Sequence, residues 1–177
     1  AGGSRRGTFA VTPRTDPVVL RPHGLQLALV HPQIAPNTGN IGRLCVATGT
    51  HLHLVRPLGF VLSDQKLKRS AMDYWPRLQL TVHDDLDAFI AAMKDTRLWL
   101  FTSKATRSYW DADYAANDCL VLGSESAGLP ESITQRFHDQ TVRIPQAEGE
   151  RCLNVSTAAG IGLYEALRHV TASGSET

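Results

Sequence analysis

The stretch "LVLGSESAGLP", residues 120–130, decides the fold because it joins a buried strand to a glycine loop and then to a helix. Its apolar run begins at Cys119, and a short continuous apolar run is typical of a parallel strand covered on both faces. Gly123 and Gly128 bound the loop, and Pro130 suits the first turn of the next helix. Ligands of α/β proteins bind at such places, beyond the carboxyl ends of strands.

The chemistry of this loop argues against a phosphate site. It contains no lysine or arginine, it carries the acid Glu125, and it lacks both GxGxxG and the GK[ST] ending of a phosphate loop. A ligand here should therefore resemble a nucleoside, contacted by backbone amides and carbonyls. The alternative is a tight structural turn with Glu125 exposed.

Strand and helix patterns alternate on both sides of this stretch. Strands are predicted at residues 25–31, 51–55, 78–82, 97–102, 119–123 and 141–144. Helices are predicted at residues 36–50, 64–74, 84–94 and 154–169, with one more after Pro130. In the first helix, Asn37 or Thr38 is the expected cap and Gly49 the stop. The pattern predicts an α/β fold, with a mostly parallel sheet and helices on both faces.

The length of 177 residues fits one domain. We predict a flexible N-terminal tail over residues 1–24, a folded domain over 25–170 and a frayed end over 171–177. The chain shows no secretory signal and no apolar run of membrane-spanning length. Its three cysteines are far apart without a CxxC pair, which predicts reduced thiols and a cytoplasmic location: Cys45, Cys119 and Cys152.

Charge is distributed unevenly. Residues 25–82 carry six basic against two acidic side chains, whereas residues 83–177 carry eight basic against fourteen acidic ones. A basic half on a nearly neutral chain suggests a local anionic partner, although solvated surface charge explains it equally well.

Two further polar loops are expected at the same edge of the sheet. In "PNTGNIGR", residues 36–43, Arg43 lies one turn into a helix, against the unfavourable end of the helix dipole. That placement indicates either an anionic partner or an ion pair with a distant acid. In "IPQAEGERCLNVSTAAG", residues 144–160, Asn154 is a plausible helix cap, and small residues after it allow close packing.

These three stretches, in this order and spacing, resemble the SPOUT superfamily of RNA 2′-O-methyltransferases, in its SpoU class. The resemblance covers residues 25–169, and "RPLGF" with "LKRSAMDYW" makes the minimal tRNA branch most similar. It implies transfer of a methyl group from S-adenosyl-L-methionine to the ribose 2′-hydroxyl of the wobble nucleotide of tRNA, position 34, C or U. It also implies a deep trefoil knot near the C-terminus and a homodimer through the first and last helices, with Tyr164 at the interface.

The resemblance assigns the site residue by residue. The catalytic positions match Arg43, Glu125 and Asn154. The cofactor positions match Phe101, Thr102, Gly123, Ile144, Cys152 and Leu153. Cys152 departs from the serine found in many relatives. The family gives Arg43 the activation of the hydroxyl group, but a guanidinium with a pKa above about 12 suits orientation and charge stabilisation better.

A cationic cluster is the predicted contact for the tRNA anticodon stem-loop. It comprises Lys66, Lys68 and Arg69, with Arg151 as a further candidate. Tyr74 and Trp75 follow closely, and aromatic rings beside cations suit unstacked bases. The alternative for both rings is a place in the core.

Other functions stay open at this point. His51 and His53 share a strand face, but no third metal ligand is evident. A nicotinamide or flavin enzyme lacks its glycine motif here. An RNA-binding module without catalysis, or methylation at another tRNA or rRNA site, would share the three motifs.

Overall fold

A computed structural model of the chain describes residues 19–63 and 73–173. Its strands are β1 Gln26–Val30, β2 His51–Val55, β3 Leu80–His83, β4 Leu98–Phe101, β5 Cys119–Leu122 and β6 Thr141–Val142. They form one parallel sheet in the order β3-β2-β1-β5-β4-β6. The helices are α1 Ala35–Thr48, α2 Leu86–Ala92, α3 Glu131–Arg136 and α4 Val155–Ser173.

Helices cover both faces of the sheet, as the sequence predicted. Alternate residues of a strand point to opposite faces. Leu27 and Leu29 of β1 therefore pack with α1 and α4, whereas Ala28 and Val30 pack with α2 and α3. The strands are buried on both sides, which explains their nearly continuous apolar sequences.

The arrangement of helices creates a crevice between β1 and β5. These strands are neighbours, yet α1 follows β1 on one face and α3 follows β5 on the other. The two connecting loops thus part at the carboxyl edge of the sheet, which is where ligands bind in open α/β sheets. The fold brings the motifs of residues 36–43 and 120–130 to this crevice.

Several predicted boundaries need correction. Helix α1 begins at Ala35 with Ile34 as its cap, so Asn37 and Thr38 lie inside the first turn. Pro36 favours this earlier start, because its missing N–H costs nothing there. Helix α4 continues to Ser173, into the predicted frayed end.

Packing begins before Leu25, the predicted start of the domain. His23 is buried, and its Nε2 lies 2.6 Å from the carbonyl oxygen of Thr48. Gly24 has a φ of 70°, and an added Cβ there would collide with the Asn117 side chain. Residues 1–18 of the predicted tail, and the predicted helix up to residue 72, lie outside the described residues. No helix in the described part of the chain is long and apolar enough to cross a membrane.

The two histidines of β2 form hydrogen bonds with side chains of the neighbouring strands. His53 Nε2 lies 2.8 Å from Gln26 Oε1, and His53 Nδ1 lies 3.0 Å from His83 Nε2. Since the glutamine oxygen only accepts, Nε2 of His53 donates and Nδ1 accepts from His83. The His51 ring stacks on His53 at 4.4 Å and bonds to Thr81. Within residues 19–63 and 73–173, no group of three or more His, Cys, Asp or Glu side chains is arranged to hold a metal.

This histidine cluster predicts a loss of stability in mild acid. Burial, with the nearby His51 and His83, lowers the pKa of His53 to about 4. The unfolded chain binds a proton near pH 6.5, but the folded chain does not until about pH 4, so acid favours the unfolded state in this window. We expect the free energy of unfolding to fall by up to about 3 kcal/mol between these values, measured by urea titration.

A pair of variants isolates this effect from the titration of carboxylates. His53→Gln should remove most of the difference between pH 6.5 and pH 4. His138→Gln, at an exposed histidine, should leave it unchanged. An equal pH dependence in both variants would show that His53 is not responsible.

Candidate active site

Glu125 joins the two loops that border the crevice. Its carboxylate accepts hydrogen bonds from the backbone N–H groups of Gln33, at 2.7 Å, and Ile34, at 3.1 Å. It also accepts one from Nδ2 of Asn37, at 3.3 Å. These partners lie about ninety residues earlier in the chain. Glu125 is therefore a positioning residue that fixes the start of α1 against the loop after β5.

Asn37 extends this network to the last helix. Its Oδ1 accepts a hydrogen bond from Nδ2 of Asn154 at 3.1 Å. Oδ1 of Asn154 accepts from the backbone N–H groups of Ser156, at 2.8 Å, and Thr157, at 3.4 Å. The predicted capping role of Asn154 is thus confirmed. The hydrogen bonds Glu125–Asn37–Asn154, which we call the motif network, connect all three predicted loops.

The loop after β5 folds back on itself without using a cation. Ser124 and Gly128 exchange two backbone hydrogen bonds of 3.2 and 3.0 Å. The backbone of Gly123 packs directly on that of Gly128 and Leu129, so a Cβ at position 123 would lie 2.0 Å from the carbonyl carbon of Gly128. The one acid of the loop, Glu125, is engaged within the protein.

Arg43 lies on the exposed side of α1, about two turns after the helix begins at Ala35. Its Cζ is 5.4 Å from the centre of the Tyr74 ring, in a cation–π contact. Among residues 19–63 and 73–173 it forms no ion pair. The ion pair with a distant acid that the sequence left open is therefore absent from this part of the chain.

Tyr74 belongs to the core, which confirms the alternative that the sequence left open beside stacking on RNA bases. Only 4% of its surface is exposed, and its hydroxyl group donates to the carbonyl oxygen of Gly39. Half-buried Trp75 packs beside it, and a Cβ added to Gly42 would lie 3.3 Å from both rings. These aromatic residues support α1 under Arg43. Lys66, Lys68 and Arg69 lie outside the described residues.

The predicted cofactor positions lie at the carboxyl ends of three adjacent strands. Phe101 ends β4, Gly123 follows β5, and Ile144 follows β6. The Phe101 ring is 8% exposed and packs on Gly162 of α4, so only its backbone is available to a ligand. Thr102 is next to it and donates its backbone N–H to the Val142 carbonyl.

Three of the predicted site residues line a cavity of about 530 Å³. Ile144 and Leu153 line it, and exposed Arg151 lies at its rim. Cys152 is exposed and unpaired. Tyr164 is 54% exposed on α4.

Comparison with known proteins agrees with these motifs. The model of the SpoU rRNA Methylase family matches residues 24–164. The chain belongs to this family. The match begins just before β1 and ends within α4, so it includes the whole motif network.

Individual SpoU relatives match over nearly their full length. The tRNA (cytidine(34)-2′-O)-methyltransferase of Burkholderia cenocepacia is 42% identical over 145 residues, which are 80% of this chain and 93% of the relative. A putative enzyme of the same name from Synechocystis is 44% identical over 153 residues, or 85% and 99% of the two chains.

Solved structures of SpoU methyltransferases share the fold. One described as "Structural insights into the 2-OH methylation of C/U34 on tRNA" has a TM-score of 0.82 and 42% identity, and the match covers 86% of this chain and 99% of that one. An AdoMet-bound rRNA methyltransferase from Sinorhizobium meliloti has a TM-score of 0.76 and 26% identity, covering 86% and 59%.

The motif network predicts a measurable role for Glu125. In Glu125→Gln, one oxygen must replace two, so at least one backbone N–H loses its acceptor. We expect the free energy of unfolding to fall by about 1–3 kcal/mol in urea titration, because bonds to a charged acceptor are strong. Methyl transfer should fall at least tenfold.

Glu131→Gln is the matched control for this variant. Glu131 lies in α3, where its side chain accepts a hydrogen bond from the exposed side chain of Gln135. We expect no change in stability or rate. Equal behaviour of the two variants would contradict the positioning role of Glu125.

Proposed function

We propose that the protein transfers the methyl group of S-adenosyl-L-methionine to the ribose 2′-hydroxyl of the wobble nucleotide of tRNA, position 34, C or U. The observation that carries this proposal is the motif network, which brings the three family motifs to one crevice. The matches to the two tRNA (cytidine(34)-2′-O)-methyltransferase relatives span nearly the whole length of those proteins, which supports the same substrate.

The residues of the crevice suit this cofactor. S-adenosyl-L-methionine supplies an activated methyl group on a sulfonium cation and carries no phosphate. The loop after β5 has no lysine or arginine to repel a cation. We infer that Phe101, Thr102, Gly123, Ile144, Cys152 and Leu153 hold the cofactor. A backbone contact at Cys152 makes its difference from serine unimportant.

The protein accelerates the reaction by positioning and charge. The C–S bond breaks as the C–O bond forms, so the leaving group is a neutral thioether, and the hydroxyl proton passes to solvent water. Alignment of oxygen, methyl carbon and sulfur supplies several kcal/mol. Of the three predicted catalytic residues, Arg43, Glu125 and Asn154, we propose that Arg43 acts on the reacting atoms. The guanidinium of Arg43 orients the nucleotide and stabilises the developing alkoxide. Glu125 and Asn154 hold α1 in place for it.

The quaternary arrangement is part of this proposal. We infer a homodimer through α1 and α4, because Ile34 and Tyr164 are exposed apolar residues on these helices, at 48% and 54%. The anticodon stem-loop would cross both subunits and meet Lys66, Lys68, Arg69 and Arg151. A deep trefoil knot is inferred from the family. A cytoplasmic site of action fits the tRNA substrate and three unpaired cysteines.

Methyl transfer to unmodified tRNA tests the proposal. Labelled S-adenosyl-L-methionine and total tRNA from a strain lacking wobble methylation are incubated with the protein, and the product is mapped by nucleoside analysis. We expect a single 2′-O-methyl group at position 34. A methyl group elsewhere would move the function to another RNA site. Cofactor binding without transfer to any RNA would support a module without catalysis.

A further inference from the structure

Trp110 is an exposed aromatic residue that the proposed chemistry does not use. Its side chain is 60% exposed, and it lies in a single 3-10 turn, Tyr109–Asp111, after β4. Ser108 caps this turn, since its side chain accepts the backbone N–H of Trp110 at 3.2 Å. A large exposed ring on a well-anchored turn is a common feature of recognition surfaces.

The neighbour of Trp110 anchors the turn. Tyr109 is buried, its backbone N–H donates to the Arg143 carbonyl at 2.9 Å, and its own carbonyl accepts from the Tyr114 hydroxyl at 2.8 Å. The two rings of Tyr109 and Trp110 are 5.6 Å apart and inclined by 36°. Trp110 is therefore held in one place at the carboxyl edge of the sheet.

Trp110 forms one wall of the cavity of about 530 Å³. The other apolar walls are Ile144, Leu153 and Ile161. The polar rim consists of Gln146, Glu150 and Arg151.

The segment that carries the rim residues, 146–151, is held in a turn by hydrogen bonds within it. The side-chain amide of Gln146 donates to the Arg151 carbonyl, and Glu150 donates its N–H to Ala147 at 3.4 Å. Gly149 adopts the left-handed φ of 79° that this turn requires. Arg151 is thus presented at the cavity mouth by a folded segment.

We propose that this cavity binds an unstacked nucleobase of the RNA substrate, stacked on Trp110. The proposal rests on the proposed function and names the part of the RNA that this surface holds. Base stacking on an aromatic ring beside a cation is the usual way proteins bind single-stranded nucleic acid. Arg151 contacts the adjoining phosphate, and the Glu150 carboxylate accepts from an exocyclic amino group, which C, A and G carry and U lacks.

The cofactor is a less suitable occupant. Only two of its six proposed positions, Ile144 and Leu153, border the cavity. Arg151 at the rim attracts a phosphate but repels a sulfonium or ammonium cation. The cavity also opens to solvent beside Trp110, as a site for a base from a separate large molecule must.

The test measures RNA and cofactor affinity in the same variants. A fluorescently labelled anticodon stem-loop is titrated with the full-length protein and with Trp110→Ala, Trp110→Phe and Arg151→Ala. Arg136→Ala is the control for charge, because Arg136 is exposed on α3. Calorimetry gives the affinity for S-adenosyl-L-methionine, and sedimentation gives the oligomeric state.

A second set of stem-loops identifies the base. Each carries one abasic nucleotide in the anticodon loop. We expect Trp110→Ala to weaken binding of the intact stem-loop about tenfold or more, with Trp110→Phe retaining most affinity and cofactor binding unchanged. With the abasic nucleotide at the contacted position, the protein and Trp110→Ala should bind equally.

Four results would overturn the assignment. Weaker binding of the cofactor in Trp110→Ala would assign the cavity to the cofactor, and a changed oligomeric state would assign Trp110 to a subunit interface. Unchanged RNA affinity in Trp110→Ala would refute the stacking of a base on Trp110 and would leave the proposed function unaffected. If the unaltered protein does not bind the stem-loop, the proposed function fails, and this inference fails with it.

Discussion

Replacing Arg43 with alanine should lower the rate of methyl transfer to tRNA by about a hundredfold or more. The basis is electrostatic, because removing one well-placed donor for a developing negative charge typically costs about 10²–10³ in rate. Arg43 is fixed over the Tyr74 ring and has no acid bonded to it among the described residues. Its charge is therefore available to the substrate. Single-turnover transfer from labelled cofactor measures the effect.

Two further variants define the role of Arg43. Arg43→Lys keeps the charge but loses the planar fork of donors, so an intermediate rate is expected. Arg77→Ala removes another exposed arginine from the same basic half of the chain and should change the rate little. Thermal unfolding and cofactor affinity should match the unaltered protein in all three. An active Arg43→Ala enzyme would remove Arg43 from the mechanism.

Replacing Gly123 with alanine should weaken cofactor binding about a hundredfold. The added Cβ would lie 2.0 Å from the Gly128 carbonyl carbon and 2.2 Å from the Leu129 nitrogen, well inside contact distance. These are backbone atoms, so the loop itself must move and the Ser124–Gly128 hydrogen bonds must open. We expect a loss of about 1–3 kcal/mol in unfolding free energy and a hundredfold loss of cofactor affinity by calorimetry.

Gly160→Ala is the matched control, since an added Cβ there meets nothing within 4 Å. In the middle of α4 this change should raise the unfolding free energy by about 0.5–1 kcal/mol, because alanine favours the helix. If Gly123→Ala binds the cofactor as well as Gly160→Ala does, the loop after β5 does not hold it.

The sequence allowed the sheet to be predicted because its strands are buried on both faces. A strand such as β5, with the run "CLVL", needs only apolar residues and short flanking loops to be recognised. The meeting of three motifs at one edge then follows from parallel strand direction alone.

The contacts of the site could not be predicted in the same way. Glu125 has no local partner, and its acceptor role depends on backbone groups of Gln33 and Ile34 far away in the chain. Asn37 looked like a helix cap, but its amide instead bridges Glu125 and Asn154. Such roles are set by tertiary packing, and no short-range pattern reports them.

Aromatic residues show the same limit. Tyr74 follows a run of cations, which suggested RNA contact, yet Gly42 of α1 leaves room for its ring in the core. Trp110 lies in a stretch with no recognisable motif, and only its 60% exposure beside a cavity draws notice to it. Whether an aromatic ring faces water is decided by the elements packed against it.

The long sequence separation of the hydrogen bonds in the motif network has a consequence for biosynthesis. The side chain of Asn37 can form its hydrogen bonds only after Glu125, 88 residues later, and Asn154, 117 residues later, have been synthesised. A ribosome makes the chain from its N-terminus, so the crevice stays incomplete until almost the whole polypeptide has emerged. Prematurely terminated chains lacking α4 would then be unable to assemble the active centre, and partly made protein would not compete with finished enzyme for tRNA.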